Sequence, residues 1–411
     1  MKKVLVVLES IDVDDSSASK VNVALIYNLR KIGYEVKVLH YTRKNIQLNE
    51  GIKCITIPEI KFSLNYILSR IQRVFQRVTR LDVSNFFQNI FGFSFTFFND
   101  CKSIFKSINQ NYTNEDLVIT LSMGGSFRPH YAILNIPKLH NKWLAYVHDP
   151  YPFHYYPRPY NWVESGYKFK EDFFREVSKK AKYSAFPSLL LKEWMGSYYP
   201  NFLKTGTIIP HQSLELKSNI TIDIPSYLDV YKFNLLHAGN LMKQRSPIGL
   251  IEGYRLFLNN NPDAKNNSKL LFLGNASYHK KKLLKELDDN IYWSQGNVSF
   301  KKVNYVQKNV SVNIILESKS EISPFLPGKF PHCVSANKPI LLLGPYYSET
   351  KRLLGENYKY ISEIDDIITI SEYIEELYFN WKSNKNQYLD REDLKRYLGI
   401  KFLKEQTYNI K

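Results

Sequence analysis

Cysteine is scarce in this chain. Cys54, Cys101 and Cys333 are spread over 411 residues, too few and too far apart for a disulfide framework or a metal cluster, as in a reducing cytoplasm. No apolar run approaches the roughly 20 residues that span a bilayer. The opening MKKVLVVLES has a short apolar stretch before Glu9 and is expected to be a first β-strand rather than a signal peptide. Zinc-finger spacing, an RNA-binding aromatic pair on a strand and a basic tail are all missing, which argues against nucleic acid. There is no Asp-x-Asp or histidine cluster with convincing ligand geometry, so no metal is expected. Internal repeats of solenoid length and low-complexity linkers are absent too. Negative charge is in short supply: 39 acidic residues face 56 Lys and Arg, a net charge of +17. That balance favours an anionic partner, either headgroups or phosphorylated substrates.

What is present is a regular alternation of strand and helix. Val4–Leu8 reads as a parallel strand buried on both faces. A Ser/Asp loop and a helix from about Val21 follow, closed by Gly33 before strand Glu35–Leu39. Further strands read at Leu117–Leu121, Trp143–Val147, Tyr183–Pro187 and Thr207–Pro210. The second half repeats the pattern at Phe233–His237, Leu270–Leu273, Val298–Lys301, Val312–Leu316 and Ile340–Leu343. The predicted class is α/β, with two doubly wound parallel-sheet Rossmann-like domains facing each other across a ligand cleft. The first covers 1–210 and the second 211–385, with a helical segment over 386–411; the polar stretch 211–232 is the expected connection.

Residues 61–110 interrupt the first domain. Leu64, Ile67, Leu68, Ile71, Val74, Phe75 and Val78 form a helical apolar stripe, with Arg70, Arg73, Arg77 and Arg80 opposite. Phe86, Phe87, Phe91, Phe93, Phe95, Phe97 and Phe98 then crowd together. A basic amphipathic helix beside an aromatic-rich stretch has the composition of a segment lying on an anionic membrane surface. The plainer reading is an ordinary domain helix with solvated arginines.

Two loops in the second half suit an anion. Gly239 follows strand Phe233–His237 and precedes Lys243 and Arg245; Pro327-Gly328-Lys329 precedes a helix and strand Ile340–Leu343. Backbone N–H groups at a helix start, with a lysine beside them, favour a nucleotide diphosphate. Either loop read singly is more often a plain turn between strand and helix. In the first half, Gly124 and Gly125 after strand Leu117–Leu121 permit close backbone approach to a substrate, or make a tight turn. The Tyr/Pro-rich stretch 149–160, with Arg158, suits an acceptor-side loop or a rigid surface loop.

These loops in a two-domain pattern resemble the GT-B glycosyltransferases, particularly the family 4 type of bacterial surface polysaccharide synthesis. In that family a Gly-Arg-Leu…Lys loop holds the donor diphosphate. Here Gly239-Asn240-Leu241 puts Asn240 in the arginine's place and Arg245 in the lysine's, with Lys243 able to restore the charge. The family's paired glutamates fall on Pro324 and His332, so ribose recognition must differ or pass to His332. Pro327-Gly328-Lys329 matches the Pro-x-Lys loop of divergent members. The resemblance also implies a donor-side role for Gly274. His148, after strand Trp143–Val147, matches a family histidine facing the cleft, and Asp149 follows it. The first-strand glycine loop is replaced by 12–19, where Ser17 and its neighbours either approach a ligand or cap the helix. His148, Asp149 and Asp12 are the candidates for the base that activates an acceptor hydroxyl.

The implied function is transfer of a sugar from a UDP- or GDP-linked donor to a glycan or lipid-linked acceptor. It would be carried out without a cofactor, in the cytoplasm at the inner face of the membrane. The alternatives are a nucleotide-sugar epimerase of the same fold and a non-catalytic scaffold.

Overall fold

A computed structural model describes residues 2–213, 224–408 and 410. The expected connection over 211–232 includes 214–223, which lie outside the described residues. The chain forms two compact units. Met1–Tyr156, Tyr160–Gln212 and Ile400–Lys411 make the first; Pro157–Pro159 and Ser213–Gly399 make the second. The 386–411 segment is therefore divided, with 386–399 in the second unit and 400–411 returning to the first.

The first unit is built on a seven-stranded parallel sheet. Its strands are β1 (Lys3–Leu8), β2 (Glu35–His40), β3 (Lys53–Thr56), β4 (Leu117–Leu121), β5 (Trp143–Tyr146), β6 (Tyr183–Phe186) and β7 (Gly206–Ile208), in the order β3-β2-β1-β4-β5-β6-β7. Val4 to Leu8 are fully buried, as a strand covered on both faces requires. Helix α1 (Ser17–Lys31) starts where the Ser16 hydroxyl accepts the Ser19 N–H at 3.0 Å. The insertion holds α2 (Leu64–Thr79), α3 (Ser84–Phe91) and α4 (Phe95–Asn111). Its aromatic run divides between surface and core. Phe86 and Phe91 are exposed, whereas Phe93 and Phe97 stack at 4.2 Å inside the core that also holds Trp143 and Phe174.

The second unit has a six-stranded parallel sheet of β8 (Phe233–Ala238), β9 (Ser268–Leu273), β10 (Ile291–Trp293), β11 (Val312–Leu316), β13 (Ile340–Leu343) and β15 (Ile361–Ser362), ordered β10-β9-β8-β11-β13-β15. A small pair, β12 (Ile322–Ser323) and β14 (Tyr347–Ser348), stands apart. Helices Ile248–Asn260 and Ile367–Ser383 bring Tyr254, Phe257, Tyr378 and Trp381 into its core. The expected strand Val298–Lys301 is not formed. Phe300 opens a helix, Phe300–Asn309, whose buried Phe300 and Val306 lie on its inner side. The strand at this level is β10 instead.

Candidate functional site

The second sheet reverses its winding at β8 and β11. From β8 the chain moves outward through β9 and β10, then crosses back to β11 and continues through β13 and β15. Crossovers that leave in opposite directions open a crevice at the carboxyl ends of the two central strands. His237 and Gly239 stand at that end of β8, and Glu317 at that end of β11.

The loops there approach one another closely. Gly239 has φ +151° and Gly274 φ +139°, both in the region that favours glycine. A Cβ on Gly239 would lie 2.7 Å from Lys329 Nζ, and one on Gly274 would lie 2.5 Å from the Gly239 carbonyl oxygen. The Gly239 N–H donates to Leu273 O, the Leu241 N–H to Asn275 O, and the Asn275 N–H to Asn240 Oδ1. Asn240 thus fastens two loops together. The Arg245 N–H closes a turn onto Met242 O at 2.9 Å, leaving Lys243 exposed and Arg245 half-buried.

Lys329 reaches into this crevice. Its amine stands 3.5 Å from His237 Nδ1 and 3.4 Å from Nε2. Burial, with the Arg245 charge second, pushes the Lys329 amine down to about 7. Burial, Lys329 and Arg245 also hold His237 well below its ordinary value, so its imidazole is neutral. Glu317 is buried and pushed up to about 7 by loss of water, offset in part by the Thr350 hydroxyl, which donates to Oε1 at 2.6 Å, and by Arg245. A lysine that burial and a neighbouring guanidinium drive towards its neutral form regains its charge when an anion comes beside it, so the cluster is suited to an anion.

The helix start after Pro327 contributes less than the sequence suggests. The Phe330 N–H is taken by Pro327 O at 2.8 Å and Pro331 has none, so the lysine side chain rather than a row of free N–H groups carries the positive charge. His332, on the same helix, is buried with its ring edge-on to Phe300 at 5.0 Å. His237 and Glu317 escaped the sequence reading. The signal was available, because each sits where an apolar strand ends, the position that singles out His148.

In the first unit the winding reverses between β1 and β4. Ser122, just past β4, accepts the His148 N–H at 3.1 Å and its Oγ lies 3.0 Å from His148 Nδ1. The ring stacks on Tyr146 at 4.1 Å and lies near-parallel to His211 at 5.6 Å. Burial, then His211 and His130, keep His148 well below its usual range. Asp149 is raised by burial to about 6, against the lowering effect of the Tyr156 hydroxyl. Asp12 differs: Lys44 at 2.5 Å and the Asp14 N–H hold it below the ordinary carboxylate value. Of the three acid–base candidates, Asp149 has the affinity for a proton that general base catalysis near neutrality needs.

The other candidates separate. Gly124, at φ +59°, makes a tight turn in which Met123 and Ser126 exchange backbone hydrogen bonds, and a Cβ on Gly125 would strike the Phe153 ring at 2.3 Å. Ser17 is exposed beside the capping Ser16, and Arg158 is exposed in the short segment belonging to the second unit. A charge network at the β1 end also went unseen in the sequence: Arg128 bridges buried Glu9 at 2.9 Å and Asp100 at 3.0 Å, and Tyr41 donates to Asp100 at 2.8 Å.

No protein-family model matches the chain, and no curated protein matches it in sequence. Solved structures do match its fold. The N-terminal domain of Candida albicans trehalose-6-phosphate phosphatase superposes with TM-score 0.65 at 12% identity, covering 100% of this chain and 96% of that one. Anabaena HepE, in complex with UDP and glucose, gives 0.59 at 8% identity over 100% and 99%. A glycosyltransferase from Rickettsia africae gives 0.57 at 14% identity over 99% and 93%. At such identities the likeness establishes the architecture: the chain has the GT-B fold.

Proposed function

We propose that the chain is a glycosyltransferase that takes a sugar from a nucleoside diphosphate donor held in its second unit. One observation carries this reading: Lys329 stands beside Gly239 at the strand ends where the sheet reverses, its charge suppressed by burial and by the Arg245 guanidinium. A diphosphate would restore that charge, and as the glycosidic bond breaks the two cations would stabilise charge developing on the leaving phosphate. The donor is proposed to be a UDP- or GDP-linked sugar, and the uridine reading is supported by HepE, which binds UDP with glucose.

The acceptor hydroxyl is assigned to Asp149 of the first unit, with neutral His148 beside it. Asn240, Lys243, Gly274, Pro327, Gly328 and His332 surround the donor side in this assignment, and Ser17, Gly124, Gly125 and Arg158 the acceptor side. The acceptor is proposed to be a glycan or lipid-linked glycan of surface polysaccharide assembly, met at the cytoplasmic face of the membrane. The counter-charge comes from side chains, so a metal is not required. Thermal-shift titration with UDP, GDP and their sugar conjugates tests the core of this reading. Stabilisation by one nucleotide, followed by sugar transfer in a product assay, supports it. No shift with any of them overturns it.

A further inference from the structure

Helix α2 is fastened to its unit by its polar side. The Ser63 hydroxyl donates to Asn99 Oδ1 at 2.5 Å, while the Gln72 and Gln76 amides donate to Ser84 Oγ at 3.2 and 2.9 Å. Helix α3 is attached in the same way. Asn89 Oδ1 accepts the Gly166 N–H at 2.9 Å, Asn85 Oδ1 accepts the Ser165 hydroxyl at 3.0 Å, and Gln88 accepts from Lys170.

The apolar stripe of α2 therefore faces outward. Leu64 is 71% exposed, Ile71 and Val74 59% each and Val78 76%, and Phe86, Ile90, Phe91 and Phe169 extend the surface beyond it. Spacing by three and four residues places the α2 members on one face. An ordinary domain helix would bury that face, so the inversion demands an occupant.

The charge around the stripe identifies which. Residues 61–91 hold five cations, Lys61, Arg70, Arg73, Arg77 and Arg80, against the single carboxylate of Asp82. Arg70 lies over the Tyr66 ring at 4.8 Å and Arg73 bonds the Ser69 carbonyl and hydroxyl. Among the described residues none of the four arginines pairs with a carboxylate. A second copy docking face to face would set these cationic flanks against each other.

We infer that the outward face of α2 and α3 docks onto an anionic phospholipid surface, with Leu64, Ile71, Val74, Val78 and Phe86 entering the acyl boundary and the arginine flank meeting lipid phosphates. This rests on the membrane location proposed above and not on the catalytic assignment. No helix among the described residues is long and apolar enough to cross a membrane.

Flotation of the full chain with phosphatidylcholine vesicles, and with vesicles also containing phosphatidylglycerol, tests it without any nucleotide. The chain is expected to float with the anionic vesicles alone. Replacing Arg70, Arg73 and Arg77 by Gln is expected to weaken partition on the order of a hundredfold at low salt. Ile71→Asp with Val78→Asp is expected to abolish it. UDP-induced thermal stabilisation, measured in parallel, is expected to be unaltered by these variants and reports separately on the donor site. Failure of the wild type to float, or equal flotation of all variants, overturns the inference. A wild-type dimer broken by the paired aspartates overturns it in favour of a second copy.

Discussion

The Lys329 amine stands 3.4 Å from Nε2 of His237. One residue ends β8 and the other opens the helix before β13, so the parallel sheet brings together groups 92 positions apart. The imidazole is sealed in the interior and held neutral by burial and by the neighbouring cations, so it adds no positive charge of its own. The proton that an incoming diphosphate calls for must therefore be carried by the amine.

Lys329→Ala is expected to weaken nucleotide binding by about 1–3 kcal/mol, the range of a charge-assisted hydrogen bond. Calorimetric titration with UDP or GDP measures this. Unchanged affinity would remove Lys329 from the site.

The same lysine links stability to pH. Its folded-state value of about 7 lies below the ordinary 10.5, so between those limits the unfolded chain holds the extra proton and stability rises with pH. Below about pH 7 the cost of a buried ammonium is fully present. Lys329→Met is therefore expected to raise the apo melting temperature at pH 6 while weakening nucleotide binding as the alanine variant does. For Glu317 the sign reverses: with the folded value raised to about 7 from 4.5, its contribution falls as pH rises through that window, and Glu317→Gln is expected to stabilise most above pH 7. Melting curves at pH 5, 6, 7 and 8 would separate the two.

Nucleotide binding should itself take up protons. A bound diphosphate raises the Lys329 value again, so near pH 8 the apparent binding enthalpy is expected to depend on the ionisation enthalpy of the buffer. Identical enthalpies in phosphate and Tris would contradict this.

Gly239→Ala and Gly274→Ala should differ in kind. A Cβ at 239 meets the movable end of Lys329, whereas one at 274 meets backbone at 2.5 Å. Both positions also carry unfavourable positive φ. The second substitution is expected to lower stability by roughly 1–3 kcal/mol in denaturant melts, and the first to lose nucleotide affinity with a smaller stability change.

Asp149→Asn should lower the transfer rate by on the order of 100-fold while sparing nucleotide affinity, as expected for loss of a general base. The wild-type rate should fall below about pH 6, following the value to which burial raises this carboxyl. A rate profile flat through that region would move the role to another group.

The continuous apolar runs Leu117–Leu121, Val312–Leu316 and Ile340–Leu343 announced themselves as interior strands, and the structure forms each over those residues. β3 and β10 did not, because they are edge strands of four and three residues, partly exposed, with no run to detect. The periodicity of α2 was readable, but periodicity cannot say which side meets the protein; that depends on Asn99 and Ser84, which hold its polar side. Likewise nothing in the order of residues couples His237 or Glu317 to Lys329 until β8 lies against β11. The two loops and their cations were legible, and the buried His237 and Glu317 between them were not.

Residues 400–410 close on the first unit. The Gln406 side chain accepts from Thr207 at 2.7 Å, the Thr407 carbonyl accepts from Tyr34 at 3.4 Å, and Lys2 donates to Ile410 O at 3.2 Å. The chain thus runs through the whole of the second unit before it supplies these contacts to the first. During synthesis the first lobe waits, with that seam open, while residues 213–399 of the second are made.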